Sequence, residues 1–212
     1  MKSCPQNSKE NTVSPTNVVD GAVGVEKAYW YVAIVNNNSE RSIASKLSED
    51  KWKNTYECYV PVQHEERVWK NGRKNKIDRV LLPAMFFVKC TEKARMGIMQ
   101  YGYVKNFLKD YTKGKNGRYP IAVIPESQMN ELKKMVDKAN SPVTIASGHF
   151  HLGDEVQVIS GPLTGLEGKI LIEPKGTYLV VEINSIGYAM VQININEVKI
   201  LPQNNNKKHG TR

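Results

Sequence analysis

The stretch Gly153-Asp154-Glu155-Val156-Gln157-Val158-Ile159-Ser160-Gly161-Pro162-Leu163-Thr164-Gly165-Leu166-Glu167-Gly168 decides how this chain is read. Val156 and Val158 before the turn, then Leu166, Ile170 and Ile172 after it, sketch the alternation of two strands. Between them Gly161-Pro162 and Gly165 supply residues that impose or tolerate the backbone angles of a reversal. A single strand-turn-strand cannot bury its own apolar face. Three more short β-branched runs follow, at Tyr178–Ile183, Tyr188–Ile193 and Glu197–Leu201, so residues 150–202 are expected to form a five-stranded small barrel.

Upstream of that unit, residues 138–149 contain Asn140-Ser141-Pro142 and Ser147-Gly148 with little periodicity, and are expected to be a linker. Residues 27–137 carry the signals of an antiparallel sheet flanked by helices, which makes the chain α+β. Lys27–Val35 is aromatic and β-branched throughout and suits a strand buried on both faces. Ser39 stands where a helix with Ile43 and Leu47 on one face would be capped. Tyr56–Val62 and Val80–Val88 read as further strands, Glu92–Gln100 as a helix, Val104–Leu108 as a short strand and Tyr111–Tyr119 as a loop. Pro125 precedes a helix whose apolar face is Met129, Leu132, Met135 and Val136. Residues 1–26 and 203–212 are polar and aperiodic, and are expected to be a disordered leader and tail.

The net charge of +9 is unevenly spread. Residues 1–149 hold 24 Lys or Arg against 15 Asp or Glu, a balance of +9; residues 150–202 hold 3 against 6, a balance of −3. Within the first part, residues 67–118 hold 14 basic and 3 acidic side chains, so a polyanion is the natural partner of that segment. Much of this charge lies around Asn71-Gly72, a strong hairpin signal, as Arg67, Lys70, Arg73, Lys74, Lys76 and Arg79. These six are the candidate nucleic-acid contacts, made mainly to phosphates, which position without reading sequence. The acidic barrel fits a protein partner better, which weighs against a ribosome-associated RNA binder.

Other classes of chemistry lack support in the residues. Cys4, Cys58 and Cys90 share no metal-binding spacing, and an odd number of cysteines does not build a disulfide framework, so reduced thiols are expected. His64, His149, His151 and His209 have no Cys or carboxylate at a recognisable ligand or triad spacing, so no enzyme, catalytic residue, metal or cofactor is expected. No run of about 18 apolar residues occurs and the first residues carry no secretory pattern, so a cytoplasmic monomer with no membrane partner is expected.

Gly153, Asp154, Gly161, Pro162, Gly165 and Gly168 together resemble the KOW motif of transcription elongation factors and some ribosomal proteins. Trp30-Tyr31, Tyr59-Val60-Pro61, Pro83-Ala84-Met85-Phe86-Phe87-Val88, Asn106-Phe107-Leu108, Pro120-Ile121 and Ile124-Pro125 follow in the order of the NGN domain. The chain therefore resembles the NusG family over nearly all of its expected ordered length, with an NGN domain at 27–137 and a KOW domain at 150–202. It departs at Ala84-Met85, where the family carries Gly-Tyr, and at Ala94-Arg95-Met96-Gly97, where the RfaH branch carries a polar cluster.

The resemblance implies that the NGN sheet binds the clamp helices of the largest RNA polymerase subunit. The matching positions are Trp30, Tyr31, Ile34, Met85, Phe87 and Arg95. It implies DNA near the transcription bubble as the partner of the basic hairpin, and a KOW domain that recruits a partner such as a ribosomal protein or Rho. The leader, the Ala84-Met85 change and the likeness to UpxY-type antiterminators favour a specialised RfaH/UpxY-type factor, active on particular operons such as surface-polysaccharide loci, over a housekeeping elongation factor.

Overall fold

The computed structural model describes residues 26–49, 56–100 and 102–202. The expected leader, save Glu26, and the whole of the expected tail lie outside the described residues. The first domain contains β1 (Tyr29–Ile34), α1 (Glu40–Glu49), β2 (Tyr56–Tyr59), β3 (Val62–Val68), β4 (Lys74–Val80), β5 (Met85–Cys90), α2 (Glu92–Ile98), β6 (Asn106–Phe107) and α3 (Glu126–Lys138). Its main sheet is antiparallel in the order β2-β5-β1-β6, and β3-β4 forms a separate two-stranded ribbon.

β1 is apolar on both faces because both faces are covered. On one side Tyr31, Ala33, Phe86, Val88 and Cys90 pack with Ile43, Ala44 and Leu47 of α1 and Ile98 of α2. On the other, Trp30, Val32 and Phe87 pack with Met129, Leu132 and Met135 of α3. Thr91 caps α2 by accepting the Ala94 N–H. Ser39 does precede α1, but its hydroxyl donates back to the Asn36 carbonyl.

The second domain contains β7 (Thr144–Ala146), β8 (Glu155–Val158), β9 (Glu167–Glu173), β10 (Gly176–Ile183), β11 (Gly187–Gln192) and β12 (Val198–Ile200). They form one antiparallel six-stranded sheet in the order β12-β8-β9-β10-β11-β7, a barrel-like unit one strand larger than the sequence suggests. The additional strand is β7, which lies inside the stretch expected to be linker and pairs with β11 at Tyr188↔Ala146. Three residues are too few to show a period, so only the pairing partner reveals the strand.

α3 joins the two domains. Its apolar face continues from the sheet into Val156, Leu163, Leu166, Leu179 and Val181 of the barrel as one cluster. Gln128 and Asn184 bond reciprocally across this joint, Gln128 Nε2 donating to Asn184 Oδ1 at 3.0 Å and Asn184 N to Gln128 Oε1 at 2.9 Å.

Candidate functional site

Strand register settles how the six candidate polymerase-facing residues are arranged. Ile34 stands opposite Met85, Val32 opposite Phe87 and Trp30 opposite Lys89. Trp30, Ile34, Met85 and Phe87 therefore share one face of the sheet, as period-two geometry requires. Tyr31 falls on the other face. There the Arg95 guanidinium lies 5.7 Å from the Tyr31 ring centroid and 5.2 Å from that of Phe107, and pairs with Glu92. Burial, with Glu92 second, pushes the Tyr31 hydroxyl up to about 12. The Arg95 bond, reinforced by its charge, holds Glu92 below the usual carboxylate range. The six thus form two separate groups on opposite faces.

The shared face is itself mostly covered. Trp30 is 1% exposed and Phe87 0%. Trp30 Nε1 donates to Glu126 Oε2 at 3.0 Å, and Lys133 Nζ sits 4.4 Å from the Trp30 ring centroid, so α3 closes over this end of the sheet. These two residues are core. Ile34 and Met85 remain half-buried where β1 and β5 end. Sequence pattern alone cannot separate these cases, since an apolar residue facing a partner and one facing a helix look alike.

Beside Met85, Ala84 adopts φ +62°, in the left-handed region that favours glycine. Its N–H donates to Glu40 Oε1, and so does the N–H of Asn38 at 3.2 Å. Glu40 is 3% exposed, a buried carboxylate satisfied by backbone donors. Nothing in the sequence marked Glu40, because an acidic residue in a first helical turn is ordinarily a surface residue.

The basic ribbon is present, with a different turn and a smaller free charge. Val68 pairs with Lys74, and Gly72 N donates to Trp69 O at 2.8 Å while Trp69 N donates to Arg73 O at 2.9 Å. With Gly72 at φ +75° this is a three-residue loop closed by a left-handed glycine. Lys70, Arg73, Lys74 and Lys76 are exposed at this end. Arg67 pairs in register with Asn75. Arg79 is not free for phosphate: its guanidinium is ion-paired with Glu65 and donates to Val143 O at 2.6 Å. Gln63 grips the same backbone, accepting from Val143 N at 2.8 Å and donating to Ser141 O at 3.1 Å. The base of the ribbon is thus a structural clamp and only its tip is a cationic surface.

In the barrel, Gly161 and Gly165 have φ of +82° and +78° and frame the turn, where Thr164 N donates to Gly161 O at 3.2 Å. Gly153 N donates to Ile170 O at 2.7 Å, and Asp154 O accepts from Ile170 N at 3.1 Å. At Gly168 an added Cβ would lie 2.6 Å from Val180 O. Gly168 is therefore required by strand packing, Gly161 and Gly165 are favoured by their left-handed backbone, and Pro162 is exposed on the turn. Their role here is architectural.

Among the described residues no group of three or more His, Cys, Asp or Glu side chains is placed to hold a metal ion. Burial raises the Cys58 thiol to about 11 and that of Cys90 to about 12, which leaves both unreactive near neutrality. No helix among the described residues is long and apolar enough to cross a membrane.

A helix-covered antiparallel sheet with a projecting basic ribbon is thus joined to a small barrel-like sheet through a shared helix, an α+β architecture in two parts. The family model described as "Transcription termination factor nusG" matches residues 28–133, and the chain belongs to the NusG family, a family of transcription factors acting in elongation. The solved structure described as "Domain interaction in Thermotoga maritima NusG" is 20% identical, with a TM-score of 0.45, covering 83% of this chain and 98% of that one. The MjSpt4:Spt5 complex is 14% identical in conformation A, with a TM-score of 0.26, covering 81% of this chain and 97% of that one. No curated protein matches the chain.

Proposed function

We propose that this chain is a transcription processivity factor of the specialised RfaH/UpxY type, binding RNA polymerase at the clamp helices of its largest subunit and suppressing pausing or termination. Family membership across residues 28–133 carries the reading. Ile34 and Met85, half-buried at adjacent strand ends, supply the accessible apolar contact. Covering what remains exposed of two half-buried side chains is worth roughly 1 kcal/mol each before association costs, one contribution to a transient grip. Binding one polymerase conformation better than its paused form shifts the population without chemistry. The cationic ribbon tip steadies nearby DNA through phosphates, and the acidic barrel takes a protein partner, either a ribosomal protein or Rho. Such a factor works in the cytoplasm.

The test is copurification of the full chain with core RNA polymerase at low ionic strength. Wild type is compared with Ile34→Ala and Met85→Ala. Phe87→Ala serves as a control for folding, because Phe87 is core. Retention of wild type with loss of both surface variants is expected. Failure of wild type to associate, or its copurification with ribosomes instead, overturns the reading.

A further inference from the structure

Asn106 of β6 stands directly opposite Ile34 of β1, which stands directly opposite Met85 of β5. The three side chains therefore form one row across three strands, on one face of the sheet. The row behind it, Phe87, Val32 and Leu108, belongs to the core that α3 covers. The front row lies beyond that cover, with Ile34 and Met85 half-buried and Asn106 exposed. Half of the Asn106 amide is already engaged, since its Oδ1 accepts the Phe107 N–H at 2.8 Å. Only the amide oxygen can accept from an N–H, so this bond fixes which way the amide lies and turns Nδ2 away from the Phe107 backbone. Among the described residues Nδ2 has no acceptor.

A purely apolar partner laid over this row would strip water from Nδ2 and leave its N–H groups unpaired, offsetting much of what Ile34 and Met85 contribute. A partner helix has no free backbone oxygen along its length, because each interior carbonyl is bonded to the N–H four residues on. The acceptor must then be a side chain. A carboxylate fits better than a neutral oxygen, since a hydrogen bond to an ionised acceptor is about twice as strong. The charges at this end agree: Lys105, next to Asn106, is exposed, while the acid Glu40 is buried and held by the Ala84 and Asn38 N–H groups. We propose that Asn106 is a specificity-determining residue of the polymerase-binding edge, its Nδ2 donating to a carboxylate on the partner helix beside the side chains that meet Ile34 and Met85. This rests on the reading above that the edge grips a helix of RNA polymerase, and adds the acid which that helix must carry.

The experiment titrates the labelled full chain with core RNA polymerase at low ionic strength, comparing wild type with Asn106→Asp, Asn106→Ala, Asn106→Leu and Met85→Ala. Denaturant unfolding of each variant is measured alongside. Asn106→Asp keeps the side-chain shape and the oxygen that accepts the Phe107 N–H, so its unfolding should match wild type while its binding does not. It is expected to bind about 100-fold more weakly, because two carboxylates then face each other. Asn106→Ala is expected to lose about 10-fold. Asn106→Leu should lose at least as much, since it extends the apolar row but leaves the partner's carboxylate unpaired. Asn106→Leu binding as tightly as wild type shows that the whole row is read as apolar surface, and overturns the proposal. Asn106→Asp binding no more weakly than Asn106→Ala assigns the acceptor to a neutral oxygen and overturns the carboxylate. A loss in Met85→Ala with none in any Asn106 variant overturns the proposal and leaves the polymerase-binding edge standing. Failure of wild type to bind, or Met85→Ala binding like wild type, overturns that edge and the proposal with it.

Discussion

Gln63 and Val143 are joined by a hydrogen bond of 2.8 Å, from the Val143 N–H to the Gln63 side-chain oxygen, across a sequence separation of 80 residues. Gln63 is buried, as is Val143, so neither group can turn to water if the other is lost. This bond fixes the path of the chain between α3 and β7, and with it the approach to the barrel.

Gln63→Ala should therefore cost about 1–3 kcal/mol, the desolvation penalty of an orphaned N–H. Denaturant unfolding measures the loss, and limited proteolysis should show faster cleavage within residues 138–149. Unchanged stability and cleavage would show that the clamp does not hold this segment.

Ala84→Gly should stabilise the chain. The left-handed φ of +62° costs an alanine about 1 kcal/mol that glycine does not incur, offset in part by the greater freedom glycine gains when unfolded. A net gain of roughly 0.5 kcal/mol is expected in chemical denaturation. Glu40→Ala should act oppositely, since Ala84 and Asn38 both donate to this buried carboxylate, and should lose about 1–3 kcal/mol.

Gly168→Ala places a methyl group 2.6 Å from Val180 O and 3.1 Å from Leu179 Cδ1, inside the β9-β10 pairing. The strands must part, at about 1–3 kcal/mol. Thermal unfolding should shift down, whereas Gly97→Ala, with open space around the position, should not show this clash.

Burial, and then the Glu167 charge on β9, raise the Glu131 carboxyl above its ordinary value of 4.5. The folded chain thus holds this proton more readily than the unfolded one. Ionised Glu131 opposes folding above its raised folded value, and the penalty fades as pH falls through that value. Glu131→Gln should be more stable at pH 7, by roughly 0.5 kcal/mol after solvent screening, with the advantage gone below about 4.5. Glu126 has the reverse sign. The Lys89 bond chiefly lowers it, so its contribution is present above about 4.5 and is lost as pH falls through the folded value. Denaturation of wild type and Glu131→Gln between about pH 3 and pH 8 separates the two.

Local chemistry alone determined a good deal. The run from Tyr29 to Ile34 could only be a buried strand, Met129, Leu132, Met135 and Val136 could only face one way from a helix, and Gly161 and Gly165 marked the barrel turn. Those are short-range facts, written in period and backbone freedom. Tertiary structure alone decided which apolar positions are surface. α3 lies over Trp30 and Phe87, leaving Ile34 and Met85 at the edge; β1 alternation sends Tyr31 to Arg95 on the far side; Arg79 is drawn to Val143; and Thr144–Ala146 becomes a strand because β11 is there to pair with it. Each depends on a partner distant in the chain, and packing against such partners, unlike periodicity, leaves no trace within the segment itself.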